Sequence, residues 1–411
     1  MKLLYITESM PTRDPVHGDG SSMIPFELLH NLPEDVAVTL LTYSGPAELG
    51  ADVRECCEAV RILPPRARNL AFVRSFFGLI GLGKQQRATR EAMAATAELS
   101  ERHDATLIHG PHALVLARKV RGPLVLQTVD PWSIRAGMDR ALVPLPLRPA
   151  YRLRELVALR AERRLPARAR LLTVGAQDAV EWSRRLKRDV RSIPNGAHHA
   201  ARRGPRQGSP VVCFVGSLNY GPNIDSVNVL IGKIAPRVWD RVPDAKFVIA
   251  GRQPVPAVLE LAGPLVEVLA NVPSVVDIFH NADVAVFPDE HGVGIRNSVR
   301  EALAAGTPVV ATPVAAREQE PHPLLFVEED TGKLVELIVG QLTGRAALQG
   351  QVSDPTGAEA VRPVTAVRPV TAVRPVTAVR TWQDVAQEYV EELKLAIAAD
   401  GSPALRGTSS A

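Results

Sequence analysis

The sequence predicts two doubly wound α/β domains, each built on a parallel sheet. Three observations predict it. Short, near-continuous apolar runs alternate with longer helical patterns through most of the chain. The alternation stops in a Gly-, Pro-, Ser- and Arg-rich stretch at 200–210, read as a linker, and then restarts in the same style. The length of 411 residues suits two or three domains at about 150 residues each.

Each element follows from its pattern. In the first half the apolar runs are Leu3–Ile6, Val36–Leu41, Val60–Leu63, Thr106–Ile108, Leu124–Leu126 and Leu171–Val174. Parallel strands covered on both faces read this way. Helices are predicted over Ser22–Asn31 and Lys84–Arg102. The Arg-dense segment Pro149–Arg170 is helical in pattern; a solvated helix face and a membrane-surface helix both fit it. After the linker, Val211–Val215 reads as a strand, followed by the loop Gly216–Pro222. Val227, Leu230, Ile231, Ile234 and Val238 recur at helical spacing. Strands Phe247–Ala250, Val284–Phe287 and Val309–Ala311 follow, with a helix near Asn297–Ala305 that Gly306 and Pro308 terminate. Two such domains make a cleft between the carboxyl ends of two sheets, where open α/β sheets bind ligands.

Residues 351–380 are read as an insertion. It holds three copies of AVRPVT at 360–377, whose regular prolines bar a helix. A proline-rich docking segment and a solvent-exposed extended insertion are the two readings. Trp382, Val385, Tyr389, Leu393 and Ile397 then share one face of a helix over 381–398, and a disordered tail is expected over 399–411.

Composition excludes several classes. Charged residues are 22% and the net charge is +4, too even for a nucleic-acid binder, and aromatics are only 4%. No apolar stretch approaches the roughly 20 residues of a membrane span, and the MKLLYITES start is too short for a signal peptide. Cys56, Cys57 and Cys213 form neither a disulfide framework nor a metal motif. A soluble cytoplasmic protein is expected, with no bound metal and no cofactor; its oligomeric state is not legible.

The chemistry concentrates in FPDEHGVGIRNSVREALAAGTPVVATP, residues 287–313. A strand ends, Gly292 and Gly294 punctuate a loop, and a helix starts near Arg296 and Asn297. Free amides and the positive end of the helix dipole there suit a phosphate. Arg296 adds a cation that can fork onto phosphate oxygens. Glu301, inside the helix, has the chemistry to accept hydrogen bonds from a ribose diol; a merely solvated Glu301 fits the local pattern equally. On the first domain, Asp130 and Ser133 follow the strand Leu124–Leu126, and His109 and His112 follow Thr106–Ile108. Both pairs stand at carboxyl ends of strands, where a cleft is lined. A turn-capping Asp130 is the structural alternative.

The stretch GVGIRNSVREALAAGTPVVAT resembles the donor-site motif of retaining GT-B glycosyltransferases of the family 4 group, also called glycosyl transferases group 1. FVGSLNYGPNIDSV at 214–227, FVIAG at 247–251, ADVAVFP at 282–288, VRSIPNG at 190–196 and LTVG at 172–175 are similar to other parts of that family. LLYITESMPTRDPVHGDGSS, residues 3–22, resembles its first strand and glycine loop. The resemblance implies two Rossmann-like domains facing each other across a cleft: an acceptor-binding domain over 1–199 and a nucleotide-sugar domain over 211–350, with the last helix packing back on the first domain.

By the same resemblance, Glu301 holds the ribose, and Gly292, Gly294, Arg296 and Asn297 face the diphosphate or sugar. Gly216 lets the backbone approach the phosphates, and Gly18 and Gly20 close over them from the first domain. Because the family's Arg and Lys after the first glycine are absent, either Arg296 carries more of the diphosphate charge or another Arg such as Arg252 helps. Arg296 and Asp130 are the expected catalytic groups; His109, His112, Asp130 and Ser133 form the acceptor side. Three family features are missing. Val293 stands eight residues before Glu301 where many members carry a second glutamate, Ser298 replaces a lysine, and GSLNYGPN lacks the usual Arg and Lys.

The implied activity is metal-independent, retaining transfer of a hexose from a UDP- or GDP-linked sugar to a small acceptor, such as an antibiotic precursor. An envelope-polysaccharide or lipid-linked acceptor is the alternative, with peripheral membrane contact. A nucleotide-sugar-binding protein without transfer is the alternative of another class.

Overall fold

The computed structural model of the chain describes residues 1–14, 18, 20–45, 48–65, 87–198, 208–291, 295–352 and 379–401. It divides into two compact units, Met1–Gly196 with Trp382–Ala411, and Ala197–Thr381.

The strands of the first unit are β1 (Lys2–Thr7), β2 (Ala37–Tyr43), β3 (Ala59–Leu63), β4 (Ala105–His109), β5 (Leu124–Thr128), β6 (Arg170–Thr173) and β7 (Val190–Ser192). They form one parallel sheet in the order β3-β2-β1-β4-β5-β6-β7. The order reverses between β1 and β4, where Thr7 lies beside His109 and His109 beside Gln127. A switch point of this kind opens a crevice at the carboxyl ends of the strands. Leu4, Ile6, Ile108, Leu126 and Leu171 pack on one face with Trp182. The helices Gly20–Asn31 and Trp382–Ala399 pack on each other and on the central strands. Trp382, Val385, Tyr389, Leu393 and Ile397 are all buried, and so is Glu392.

The second unit has β8 (Val211–Val215), β9 (Lys246–Gly251), β10 (Val266–Ala270), β11 (Val284–Phe287), β12 (Val309–Ala311) and β13 (Leu325–Val327). These form a second parallel sheet, β10-β9-β8-β11-β12-β13, with its switch point between β8 and β11. The predicted helix through Val227–Val238 carries a π-type turn at Leu230–Ile234 between Gly221–Val229 and Ala235–Trp239. Pro236 supplies the reason: it has no amide to donate and its ring crowds the carbonyl four residues back, so the wider turn relieves it. The helix Asn297–Ala304 ends at Gly306 with φ +73°. Thr307 N–H reaches Ala302 O at 3.0 Å and Gly306 N–H reaches Leu303 O at 3.0 Å, the paired closure that a left-handed glycine permits.

Several boundaries differ from expectation. The helix expected over Lys84–Arg102 is Arg90–Ser100 in the described residues, begun by Thr89, whose side chain accepts the Ala92 N–H at 3.0 Å. The helix expected to reach Arg170 ends at Glu162; Pro166 follows and Arg170 already belongs to β6. Strands β7, β10 and β13 and the helix Thr331–Val352 have no counterpart in the sequence reading. Most of the 200–210 linker and all three AVRPVT copies lie outside the described residues.

Candidate functional site

The switch point of the second unit gathers a buried polar cluster. Gly216 follows β8 and Gly251 ends β9, and the two backbones touch. A Cβ on Gly251 would stand 1.7 Å from Gly216 O, so no other residue fits that position without moving the loop. Leu218 N–H bonds Arg252 O at 2.8 Å, and Arg252 Nη2 donates to Ser217 Oγ at 3.0 Å. Arg252 is thereby tied to the 216–222 loop. Asn223 is buried at the start of the following helix and donates to Ser217 O at 2.9 Å.

Asp289 follows β11 and is buried. Its Oδ1 accepts from Ser226 Oγ at 2.8 Å, its Oδ2 accepts from Arg296 Nη1 at 2.7 Å, and its backbone carbonyl accepts from Thr312 Oγ1 at 2.7 Å. Burial pushes the Asp289 carboxyl above its ordinary value, against the pull of Arg296 and Ser226. Arg296 Nη1 also donates to Asn223 Oδ1 at 3.0 Å. The guanidinium carbon lies 4.9 Å from the Phe214 ring centre and 4.8 Å from that of Phe287. Aromatic faces and a carboxylate thus fix the cation in place. Burial lowers the Arg296 guanidinium from its ordinary value, while Asp289 opposes the shift. Nη1 is used up, whereas Nε and Nη2 are buried and meet no hydrogen-bond partner among the described residues.

Arg296 immediately precedes the helix Asn297–Ala304, and its own side chain does not cap the first turn. Asn297 is exposed at the first position, and Glu301 is half-buried one turn later. Gly292 and Gly294 lie outside the described residues. Of the residues singled out from the sequence, Gly216, Arg252 and Arg296 stand in this cluster and Asn297 and Glu301 in the helix after it; Asp289, Asn223, Ser226 and the two phenylalanines were not singled out.

The first unit has its own cluster at the carboxyl ends of β1, β4 and β5. Glu8, absent from the sequence reading, is buried directly after β1. Its Oε2 accepts the His112 N–H at 2.6 Å, and its N–H donates to His109 O at 3.2 Å. A Cβ on Gly110, whose φ is +96°, would meet the Glu8 carboxyl carbon at 2.3 Å. The His112 ring stands edge-on to Trp132 with centroids 4.7 Å apart. Asp130 is partly exposed, with Arg135 Nη1 3.6 Å from its carboxylate. Burial raises its carboxyl from the ordinary value and Arg135 pulls it back.

His109 and Ser133 do not share this rim. The His109 ring is fully buried, edge-on to Tyr5, and burial drives it down to about 3, so it is neutral. Ser133 is fully buried; its N–H donates to Glu162 Oε1 at 2.9 Å. Gly18 is buried and its N–H bonds Asp14 O at 2.8 Å, while Gly20 opens the helix Gly20–Asn31. Among the described residues no group of three or more His, Cys, Asp or Glu is placed to hold a metal ion.

Comparison with known proteins follows the same division. No curated protein sequence matches the chain. Among solved structures, the chain is similar to Anabaena HepE in complex with UDP and glucose, at TM-score 0.57 and 13% identity, covering 96% of this chain and 99% of that one. It is similar to a glycosyltransferase from Rickettsia africae at TM-score 0.58 and 10% identity, covering 96% and 98%. A UDP-forming α,α-trehalose-phosphate synthase from Burkholderia xenovorans, in complex with glucose-6-phosphate, aligns at TM-score 0.56 and 11% identity over 96% and 99%. The chain has the GT-B fold of two Rossmann-like domains, and residues 209–343, which include Asp289, Arg296 and Glu301, match the family model of glycosyl transferases group 1.

Proposed function

We propose that this protein is a glycosyltransferase that moves a sugar, with retention, from a nucleoside-diphosphate sugar to a small acceptor. The observation that carries the reading is Arg296. Its Nη1 is held by Asp289 and Asn223, which leaves the Nε–Nη2 edge of the guanidinium for a ligand. That edge has the spacing to grip two phosphate oxygens at once. It sits at the start of a helix, where amides and the dipole favour the same anion. Glu301, one turn on, takes the ribose diol, and Arg252 adds charge from the β9 side. The match of 209–343 to group 1 glycosyl transferases and the UDP-bound HepE neighbour support the choice of a nucleotide sugar.

The residues act chiefly on the leaving group. Negative charge grows on the diphosphate as the glycosidic bond breaks, and preorganised donors there lower the barrier most. Because Asp289 and the phenylalanines fix Arg296 beforehand, no reorganisation is needed during the reaction. In a same-face mechanism the departing oxygen takes the acceptor's proton, so no carboxylate nucleophile is needed. Asp130, His112 and Trp132 form the acceptor side in this reading, and the acceptor is a small molecule.

The test is incubation of the protein with UDP-, GDP-, TDP- and ADP-sugars and candidate acceptors. Nucleoside diphosphate release is followed, and the anomeric configuration of the product is read by NMR. Release of one nucleoside diphosphate with a retained anomer is the expected result. An inverted product overturns retention, and binding without turnover overturns the enzyme reading in favour of a nucleotide-sugar-binding protein.

A further inference from the structure

The helix Arg148–Glu162, inserted between β5 and β6, is built inside out. Its inner face carries two buried carboxylates. Glu155 accepts from Arg152 Nη1 at 3.0 Å and Arg185 Nη1 at 3.2 Å, with Arg140 Nε 3.4 Å away. Glu162 accepts from Ser133 N–H at 2.9 Å and Trp182 Nε1 at 3.0 Å. Its outer face carries two of its three leucines, while Leu159 packs on the core. Leu153 is 44% and Leu156 46% exposed, and the turn before the helix adds Leu145 at 73% and Leu147 at 51%. Pro149, Leu153, Leu156 and Arg160 fall on one outward stripe at helical spacing. Scattered exposed leucines need no explanation, but two on one stripe with two more in the adjoining turn mark a contact surface.

The charge around the stripe selects its partner. Arg148, Arg160, Arg163 and Arg164 are exposed along the same segment, Arg152 and Arg154 pair with Glu155 and Asp139, and the segment's own acids, Glu155 and Glu162, are turned inward. A second copy of this face would bring arginine against arginine. An anionic lipid surface meets both features: headgroups pair with the guanidinium groups while the leucines enter the acyl boundary. No described helix is long and apolar enough to cross a membrane, so the contact lies in the interface plane. We infer that the face formed by Leu145, Leu147, Leu153, Leu156 and the flanking arginines docks this protein peripherally on anionic membranes.

Cosedimentation of the full chain with phosphatidylglycerol–phosphatidylcholine vesicles, and with pure phosphatidylcholine vesicles, tests this. Binding to the anionic vesicles, weakened by salt, is expected, because exposed charge pairs are screened. Leu153→Gln/Leu156→Gln keeps good helix formers on an exposed face, so the melting temperature should hold while partition falls at least about tenfold. Arg160→Glu should lower partition by roughly fivefold or more. Equal binding to both vesicle types overturns the anionic assignment. Absence of vesicle binding, or self-association that the leucine variant abolishes without any vesicle binding, overturns the proposal altogether.

Discussion

Arg296 and Asp289 form a buried pair whose value to the protein is positional. Replacing a buried ion pair with apolar groups is often neutral, but removing one partner strands the other. Arg296→Ala leaves Asp289 buried with only Ser226 Oγ on its carboxylate, and should lower stability by about 3–5 kcal/mol, read from denaturant melts. Turnover should fall more than donor affinity, since charge on the leaving group peaks in the transition state. Arg296→Lys restores one charge without the fork and should rescue only part of the rate. Glu301 contrasts with it. It is half-exposed, so Glu301→Ala should change stability by less than about 1 kcal/mol, while each lost charge-assisted hydrogen bond to a ribose costs about 1.5–3 kcal/mol of nucleotide affinity by calorimetry. Arg296 and Glu301 were legible because a glycine loop feeding a helix announces an anion site. Asp289 and Glu8 were not, since a lone carboxylate after a strand carries no period or spacing. Only folding shows that each is wrapped by donors from distant segments.

At the scale of elements, the strands that the sequence revealed are central except β3, which lies at an edge, and the three it hid are all edges. β1, β4, β8 and β11 are apolar on both faces and stand between neighbours. β7, β10 and β13 are all edge strands with partly exposed residues; polar residues interrupt β7 and β10, and β13 is apolar but only three residues long. Gly251 shows how tightly the central elements meet. Gly251→Ala should cost about 3 kcal/mol or more, because the obstacle is the Gly216 backbone and not a side chain that can swing away; a thermal melt measures it. The helix Trp382–Ala399 was visible through its apolar stripe, yet its buried charge was not. Glu392 is gripped by Arg170 Nε and, at 2.6 Å, by Arg191 Nη1. Burial pushes its carboxyl up, but the two arginines outweigh that and hold it below the ordinary glutamate value. A depressed folded value means the contribution is complete above the unfolded value of about 4.3 and is lost as pH falls through the folded one. The stability gap between wild type and Glu392→Gln should therefore be widest near neutral pH and close in acid, as paired melts across pH would show.

Across the whole molecule, the chain crosses into the second unit at Ala197 and leaves it at Thr381, and these residues pair as a bridge, with Ala197 N–H on Arg380 O at 2.9 Å. Everything between, including the AVRPVT copies, is an excursion from the first unit, which the chain completes only with its last helix. Deleting 360–377 shortens a connection whose entropy changes slowly with length, so the melting temperature should move little. Truncating before Trp382 removes Tyr389, Leu393 and Ile397 from the first unit and should lower its stability sharply. If the repeat deletion is as damaging as the truncation, the repeats are a structural element. The central claim is that the β8–β11 switch point holds a nucleoside diphosphate on the free edge of Arg296. Isothermal titration of wild type and Glu301→Ala with UDP, GDP, TDP and ADP tests it most directly. The account predicts saturable binding of at least one by the wild type and a clear loss in the variant. Folded wild-type protein that binds none of the four, or a variant that binds as tightly as wild type, would contradict it.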